Sequence, residues 1–262
     1  MPAFVAVQRL ALSGAAVGRK HQSSSPASSA SAQAGSALPT LHYFAFRGRA
    51  LACRVALFNA LGKDGWTDQR VSLPRFKKTP KLPQNPDRVN AEYVTNNLPQ
   101  LDLACGTKVS QSHAIARFAA KIVPEDHPAH FVPGLYPTDA KAAMLVDEAV
   151  AVVDQILLLT PKDEDPDTRA QRREEYHTSG FLRVGMELLE GRIQQSGGPF
   201  ILGRQLSIAD LYIRAPLCDL FELNQFEGIP PEFFDAFPLV RACGARVLEH
   251  PLLQAYHENY KN

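Results

Sequence analysis

The chain has 262 residues, with 28 lysines and arginines against 27 aspartates and glutamates, 45% hydrophobic residues and 21% charged ones. That length gives room for two compact domains, or one domain with an extension. A formal net charge of +1 speaks against nucleic acid as the main partner, and no run approaches the roughly 18 consecutive apolar residues of a membrane span.

Residues 1–38 hold three of the 28 basic side chains (Arg9, Arg19, Lys20) and none of the 27 acidic ones, and end in a Ser/Ala-rich tract from Ser23 to Ala37. Acid-poor, Arg- and Ser-containing N-termini are the signature of organelle transit peptides. A disordered tail without an address is the alternative, because such a composition cannot bury enough apolar surface to fold. The expected location is cytoplasmic, or mitochondrial or plastid if residues 1–38 are a transit peptide.

From Leu41 the alternation Leu-His-Tyr-Phe-Ala-Phe predicts a strand. Arg47-Gly48-Arg49 reads as a turn into an apolar helix over Ala50–Leu61, with Arg54 on its length and Gly62 closing it. Trp66–Val71 is a second strand. Phe76–Asn97 is a Pro- and Lys-rich connection, and a loop of that length inside a small domain is functional or mobile rather than filler. Leu98-Pro99-Gln100-Leu101 opens a third strand with a proline at its start, where a missing ladder donor is tolerated. After a turn at Gly106 and a fourth strand, Gln111 and Ser112 stand at the mouth of an apolar helix carrying Ala114, Ile115, Phe118 and Ala119. A helix N-terminus leaves unpaired N–H groups and partial positive charge, so a Ser hydroxyl there suits a carboxylate. A plain N-cap is the other reading of Ser112.

Val123–Pro137, with four prolines, reads as a linker. Beyond it the periodicity is helical: Asp139–Leu159, Arg169–Gln195 stopped by Gly197-Gly198, and about Leu239–Glu249. Ser207-Ile-Ala-Asp210 is a capping-box variant, with Leu206 and Leu211 placed for a hydrophobic staple. The four cysteines (Cys53, Cys105, Cys218, Cys243) form no C-x-x-C pair, which removes a dithiol motif and a thiolate zinc site and makes a reducing compartment the default. There is no H-E-x-x-H. His127 and His130 read as solvated linker residues, so no metal is expected.

Several ordered motifs carry a resemblance: Tyr43-Phe44 followed by Arg47-Gly48-Arg49-Ala50 and Arg54; Asn97-Leu98-Pro99-Gln100-Leu101; Gln111-Ser112 with Ala114-Ile115-Ala116-Arg117; Val146-Asp147-Glu148; and Ser207-Ile208-Ala209-Asp210-Leu211. Over residues 39–262 the chain resembles the cytosolic glutathione transferases, most closely the sigma class with its haematopoietic prostaglandin D synthase branch. The resemblance implies an α/β thioredoxin-like glutathione-binding domain over 39–122, a linker over 123–137, an all-helical domain with the hydrophobic-substrate site over 138–262, and a homodimer.

Carried over by position, the resemblance makes Tyr43 the catalytic tyrosine, donating to the thiolate of glutathione, the co-substrate. On pattern alone a strand tyrosine is a core residue; its place in Tyr-Phe-x-x-x-Gly-Arg is what points to catalysis. Leu98, with Asn97 beside it and Pro99 cis, would align the glutathione cysteine through its main chain, and Gln111 and Ser112 would hold the γ-glutamyl carboxylate. Arg49 would raise the positive potential near the thiolate. Asp154 aligns with an acidic position that reaches the neighbouring subunit's glutathione. Phe46, Gly48 and Leu157 would border the site of a small apolar electrophile, although Phe46 and Leu157 also suit an ordinary core.

Two departures from the family pattern stand out. Phe76 occupies the place of a tryptophan that faces the glycine end of glutathione, and it has no indole N–H to donate. The lysine that should follow is Lys77, Lys78 or Lys81, with Lys81 assigned here, because Pro80–Asn97 is longer than the family pattern. The implied function is conjugation of glutathione to small apolar electrophiles. Glutathione-dependent isomerisation, peroxide reduction and a non-catalytic, crystallin-like role are the alternatives.

Overall fold

The computed structural model describes residues 38–79, 92–95, 97–126 and 128–260. The expected extension lies outside these residues but for Leu38, and so do Lys81 and His127.

The first half is a thioredoxin-like layer. Four strands, β1 (Thr40–Tyr43), β2 (Thr67–Arg70), β3 (Gln100–Asp102) and β4 (Lys108–Ser110), lie in the order β2-β1-β3-β4. β1 runs parallel to β2 and antiparallel to β3, with Leu41 opposite Asp68 and Leu101, and β3 runs antiparallel to β4. The parallel pair needs a crossover helix, which is α1 (Leu51–Leu61). Alternation on β1 buries Leu41 and Tyr43, as a strand with one face on a core requires. In α1, ten of eleven residues are buried, so this helix has no solvent face. It packs against α3 (Ser112–Ala120) and against two helices of the second half.

The second half is helical. α4 (Ala140–Leu159) starts at Asp139, whose carboxylate accepts the Ala142 N–H at 2.8 Å. The expected single helix over Arg169–Gln195 is two helices, α5 (Pro166–Thr178) and α6 (Phe181–Ser196), separated at Ser179-Gly180. A Cβ on Gly180 would fall 2.8 Å from the Tyr176 Cα, so the chain can fold back there only on glycine. Gly197, at φ 68°, then closes α6. Asp210 accepts from the N–H and the hydroxyl of Ser207, each at 2.8 Å, and from the Ile201 N–H, also at 2.8 Å. These bonds anchor α7 (Ile208–Tyr212). The helical path is interrupted at Ala215, which is extended before a cis Pro216, and resumes as α8 (Asp219–Glu222).

α9 (Pro238–Glu249) is followed by α10 (Pro251–Asn259), which the periodicity did not predict. α10 returns to α1: the Tyr256 ring stands edge-on to Phe58 at 5.8 Å, and the Tyr260 hydroxyl donates to the Lys63 carbonyl at 3.2 Å. His130 is not a solvated linker residue. It stacks on Phe58 at 4.5 Å between centroids, and its ring nitrogen lies 3.2 Å from the Phe58 carbonyl. Asn59 exchanges two hydrogen bonds with Val132, at 2.8 and 3.0 Å, so α1 holds the connecting segment as well.

Candidate active site

Tyr43 ends β1, and the chain then turns through Phe44–Arg47 into α1. That turn is fixed from behind by Arg54, which is 3% exposed. Its guanidinium donates to the carbonyls of Phe44 and Phe46, both at 2.8 Å, and to Asp68 at 3.1 Å. It also lies 5.6 Å from the centre of the Tyr43 ring. The rigid planar fork spreads its donors over three separate acceptors, where a lysine would offer a single compact point charge.

The main-chain N–H of Arg49 donates to Tyr43 Oη at 3.2 Å. The tyrosine oxygen is therefore an acceptor toward its own chain, and its hydrogen is left for a ligand. Burial pushes the Tyr43 pKa above the ordinary value, outweighing the Arg49 N–H and the nearby Arg49 and Arg54 charges. The group stays a phenol at neutral pH.

Gly48 makes this approach possible. Its φ is 38°, and a Cβ there would lie 2.7 Å from Tyr43 Oη and 2.7 Å from Phe46 Cε2. Gly48→Ala is expected to displace the tyrosine hydroxyl and lower any Tyr43-dependent turnover at least about tenfold, on the order of 1.4 kcal/mol of barrier, and to lower the melting temperature as well, because the positive φ strains any side chain there. Turnover equal to that of the parent would show that the ring tolerates the methyl.

At the other end of the site, β4 leads to Gln111, whose φ of 77° and ψ of 108° are rare for a non-glycine residue. Gln111 takes the cap position without a side-chain cap bond, and Ser112 is the first residue of α3. The reading of Ser112 as an N-cap is thereby corrected. Ser112 is buried, and its carbonyl accepts the Cys53 thiol at 3.2 Å. Cys53 has no nucleophilic character, since burial pushes its thiol up to about 12.

Asn97, Leu98, Pro99, Gln111 and Ser112 share one cavity of about 410 Å³, with Arg49 and Asp154 also on its wall. The Leu98–Pro99 bond is cis. Asp154 forms an ion pair with Arg49 of the same chain. A second cavity of about 690 Å³ adjoins the first and holds Tyr43, Phe46, Gly48 and Leu157. Phe46 is 61% exposed, so it is not core. Across from these stand Pro216, Leu220 and Leu223, and the Arg47–Asp219 ion pair at 2.8 Å.

Phe76 does not join either cavity. It sits on α2 (Leu73–Lys78), a helix unforeseen in the sequence, where its ring stands edge-on to Phe44 at 5.5 Å and tilted against Tyr93 at 5.6 Å. Lys77 and Lys78 are exposed on the last turn of the same helix. Sequence reasoning also missed Lys162, which lines both cavities, and Gln100, fully buried, whose side chain accepts the Val94 N–H at 2.8 Å and donates to the Glu92 carbonyl at 3.0 Å.

Comparisons with known proteins agree with this layout. Residues 155–260 match the family model described as "Glutathione S-transferase, C-terminal domain". Glutathione S-transferase P of Pongo abelii is 27% identical, over 83% of this chain and 90% of that one. The C-terminal part of the chain thus matches a glutathione S-transferase domain, and the chain along most of its length is similar to glutathione S-transferases. S-crystallin 4 of Enteroctopus dofleini is 24% identical, over 83% of this chain and 94% of that one. Among solved structures, prostaglandin synthase D of Nilaparvata lugens superposes with a TM-score of 0.63 at 17% identity, covering 86% of this chain and all of that one. Like the solved structure on which it superposes, the chain has an α/β layer followed by helices. Among its described residues no helix is long and apolar enough to cross a membrane, and no group of metal-ligating side chains comes together.

Proposed function

We propose that the protein is a glutathione transferase in which the Tyr43 hydroxyl donates a hydrogen bond to the glutathione thiolate, and that this thiolate attacks small apolar electrophiles. The observation that carries the reading is the Arg49 N–H on Tyr43 Oη, which leaves the phenolic proton for the cavity. Donation to the charged sulfur favours it and lowers a thiol pKa from its usual value of about 8.5, and the thiolate is the nucleophile. Gln111, Ser112 and the first N–H groups of α3 would receive the γ-glutamyl carboxylate. The Leu98 main chain would pair with the cysteinyl unit as an added strand. With a chloronitroarene as acceptor, the sulfur–carbon bond forms, the carbon–chlorine bond breaks, and chloride leaves with the bonding pair. The thiol proton has by then gone to solvent.

The test is conjugation of glutathione to 1-chloro-2,4-dinitrobenzene by the full chain, followed across pH. The Tyr43 pKa is raised on folding, so the hydroxyl keeps its proton below the ordinary tyrosine value of about 10 and loses it only as pH rises through the higher folded value. Accordingly kcat/KM is expected to rise through one ionisation, that of the thiol, and then to hold level to about pH 9.5. A fall between pH 8 and 9 would count against Tyr43 as the donor. The S-crystallin relatives favour a second reading, a non-catalytic structural role. Glutathione binding without conjugation would support that one.

A further inference from the structure

Tyr212 closes α7 and is 2% exposed, yet its hydroxyl oxygen is buried without a hydrogen-bond partner among the described residues. An unpaired buried hydroxyl costs free energy, so its presence in a packed core calls for an explanation. A phenylalanine would fill the same space without that cost. The position of the residue is not loose, because Asp210 anchors α7 through its bonds to Ser207 and Ile201.

The hydroxyl faces the first residue of α3. The Ser112 side chain is the hydrogen-bonding group that acts on it, short of a formed bond. Burial drives the phenol well above its ordinary pKa and Cys53 adds to this, while Ser112 and the charges of Arg49 and Arg117 pull the other way. Tyr212 is therefore a phenol, and a donor, at neutral pH. Ser112 is 5% exposed, its carbonyl accepts the Cys53 thiol at 3.2 Å, and it lines the smaller cavity, whereas Tyr212 lines neither cavity. The tyrosine thus stands behind the serine. A serine hydroxyl that gives its proton to a carboxylate keeps its lone pairs for a donor on the other side, and bonds in such a chain strengthen one another.

We propose that Tyr212 is a positioning residue for glutathione: its O–H donates to Ser112 Oγ when the Ser112 hydroxyl donates to the γ-glutamyl carboxylate. The hydroxyl left unpaired in the free protein finds its acceptor in the complex, and the helical half contributes to binding through a residue that never touches the ligand. This rests on the transferase reading, which puts that carboxylate at Ser112.

The test is calorimetric titration of glutathione, and of 4-aminobutyryl-cysteinyl-glycine, which lacks only that carboxylate. Each is titrated into the full chain and its Tyr212→Phe, Ser112→Ala and doubly substituted variants. Tyr212→Phe is expected to weaken glutathione binding at least about threefold, within the range of one neutral hydrogen bond. The analogue should bind Tyr212→Phe and the parent equally, and Tyr212→Phe should make no further difference once Ser112 is alanine. The urea midpoint of ligand-free Tyr212→Phe should be no lower than that of the parent, since the deleted hydroxyl had no partner. Unchanged glutathione affinity in Tyr212→Phe would overturn the proposal. So would an equal loss for the analogue or in the Ser112→Ala background, either of which would make Tyr212 a packing residue only. Glutathione binding by the parent without conjugation of the chloronitroarene would count against the transferase chemistry alone, and no glutathione binding by the parent would sink both.

Discussion

Tyr43→Phe is expected to lower glutathione conjugation at least about tenfold at saturating glutathione while leaving glutathione affinity unchanged. The substitution deletes one oxygen and keeps the ring, which is packed against Phe44 at 5.3 Å and Phe46 at 5.4 Å. Binding through the smaller cavity does not use that oxygen, since Tyr43 lines only the larger one. A tenfold loss is about 1.4 kcal/mol of transition-state stabilisation, within reach of one hydrogen bond to a charged group. The apparent pKa of the bound thiol should rise in the variant, toward the free value of about 8.5. Turnover and thiol pKa both equal to those of the parent would remove Tyr43 from the mechanism. An equal loss in affinity and turnover would mean that the hydroxyl binds glutathione without activating it.

The second large effect concerns stability. Arg54→Leu takes from the buried Asp68 carboxylate, 7% exposed, one of its two arginine partners, leaving Arg70 at 3.2 Å, and leaves the carbonyls of Phe44 and Phe46 without their donor. A buried acceptor left without its donor costs about 1–3 kcal/mol, and two carbonyls lose theirs here while the carboxylate keeps Arg70. Urea unfolding followed by the fluorescence of Trp66, the chain's single tryptophan and 4% exposed, measures the loss directly. A double variant that also carries Asp68→Leu should recover only the share that belongs to the carboxylate, since the two carbonyls still lack their donor. A loss under about 1 kcal/mol would mean that water replaces the guanidinium, and that the turn before α1 owes its shape to something else. Folded Arg54→Leu protein should also be a poor catalyst, since the carbonyls it releases belong to the turn that sets Gly48 and Arg49 against the tyrosine.

The first half of the molecule was legible wherever one face of an element is buried. β1 alternates visibly because Leu41 and Tyr43 point inward, and α1 is apolar but for Arg54 and Asn59 because it is covered on every side. α2 was lost in what read as a connection because none of its residues is buried, so no periodicity marks it. Its one local signal is Ser72, whose side chain accepts the Arg75 N–H at 3.3 Å ahead of Pro74. α5 and α6 merged in the sequence because α5 is charged along its length and buries only Tyr176 and His177. α10 was missed because Pro251 reads as a stop after α9, whereas it is the first residue of the next helix.

The site divides in the same way. Tyr43, Gly48, Leu98 and Ser112 sit at ends of elements, where short motifs leave a trace. Lys162 leaves none. Its place is set by Arg169 and Arg173 of α5, which donate to the Asp163 and Pro161 carbonyls on either side of it, and such long-range clamps have no spacing to read.

The donor that holds the Tyr43 hydroxyl is the peptide N–H of residue 49 and not its side chain. The identity of residue 49 can therefore drift without the tyrosine losing that hydrogen bond, and among the common amino acids only proline deletes it. Charge at this position, and with it the strength of the field around the sulfur, is free to be tuned separately from the aim of the phenol. A scaffold built this way can try new electrostatic settings one substitution at a time while its proton donor stays in place.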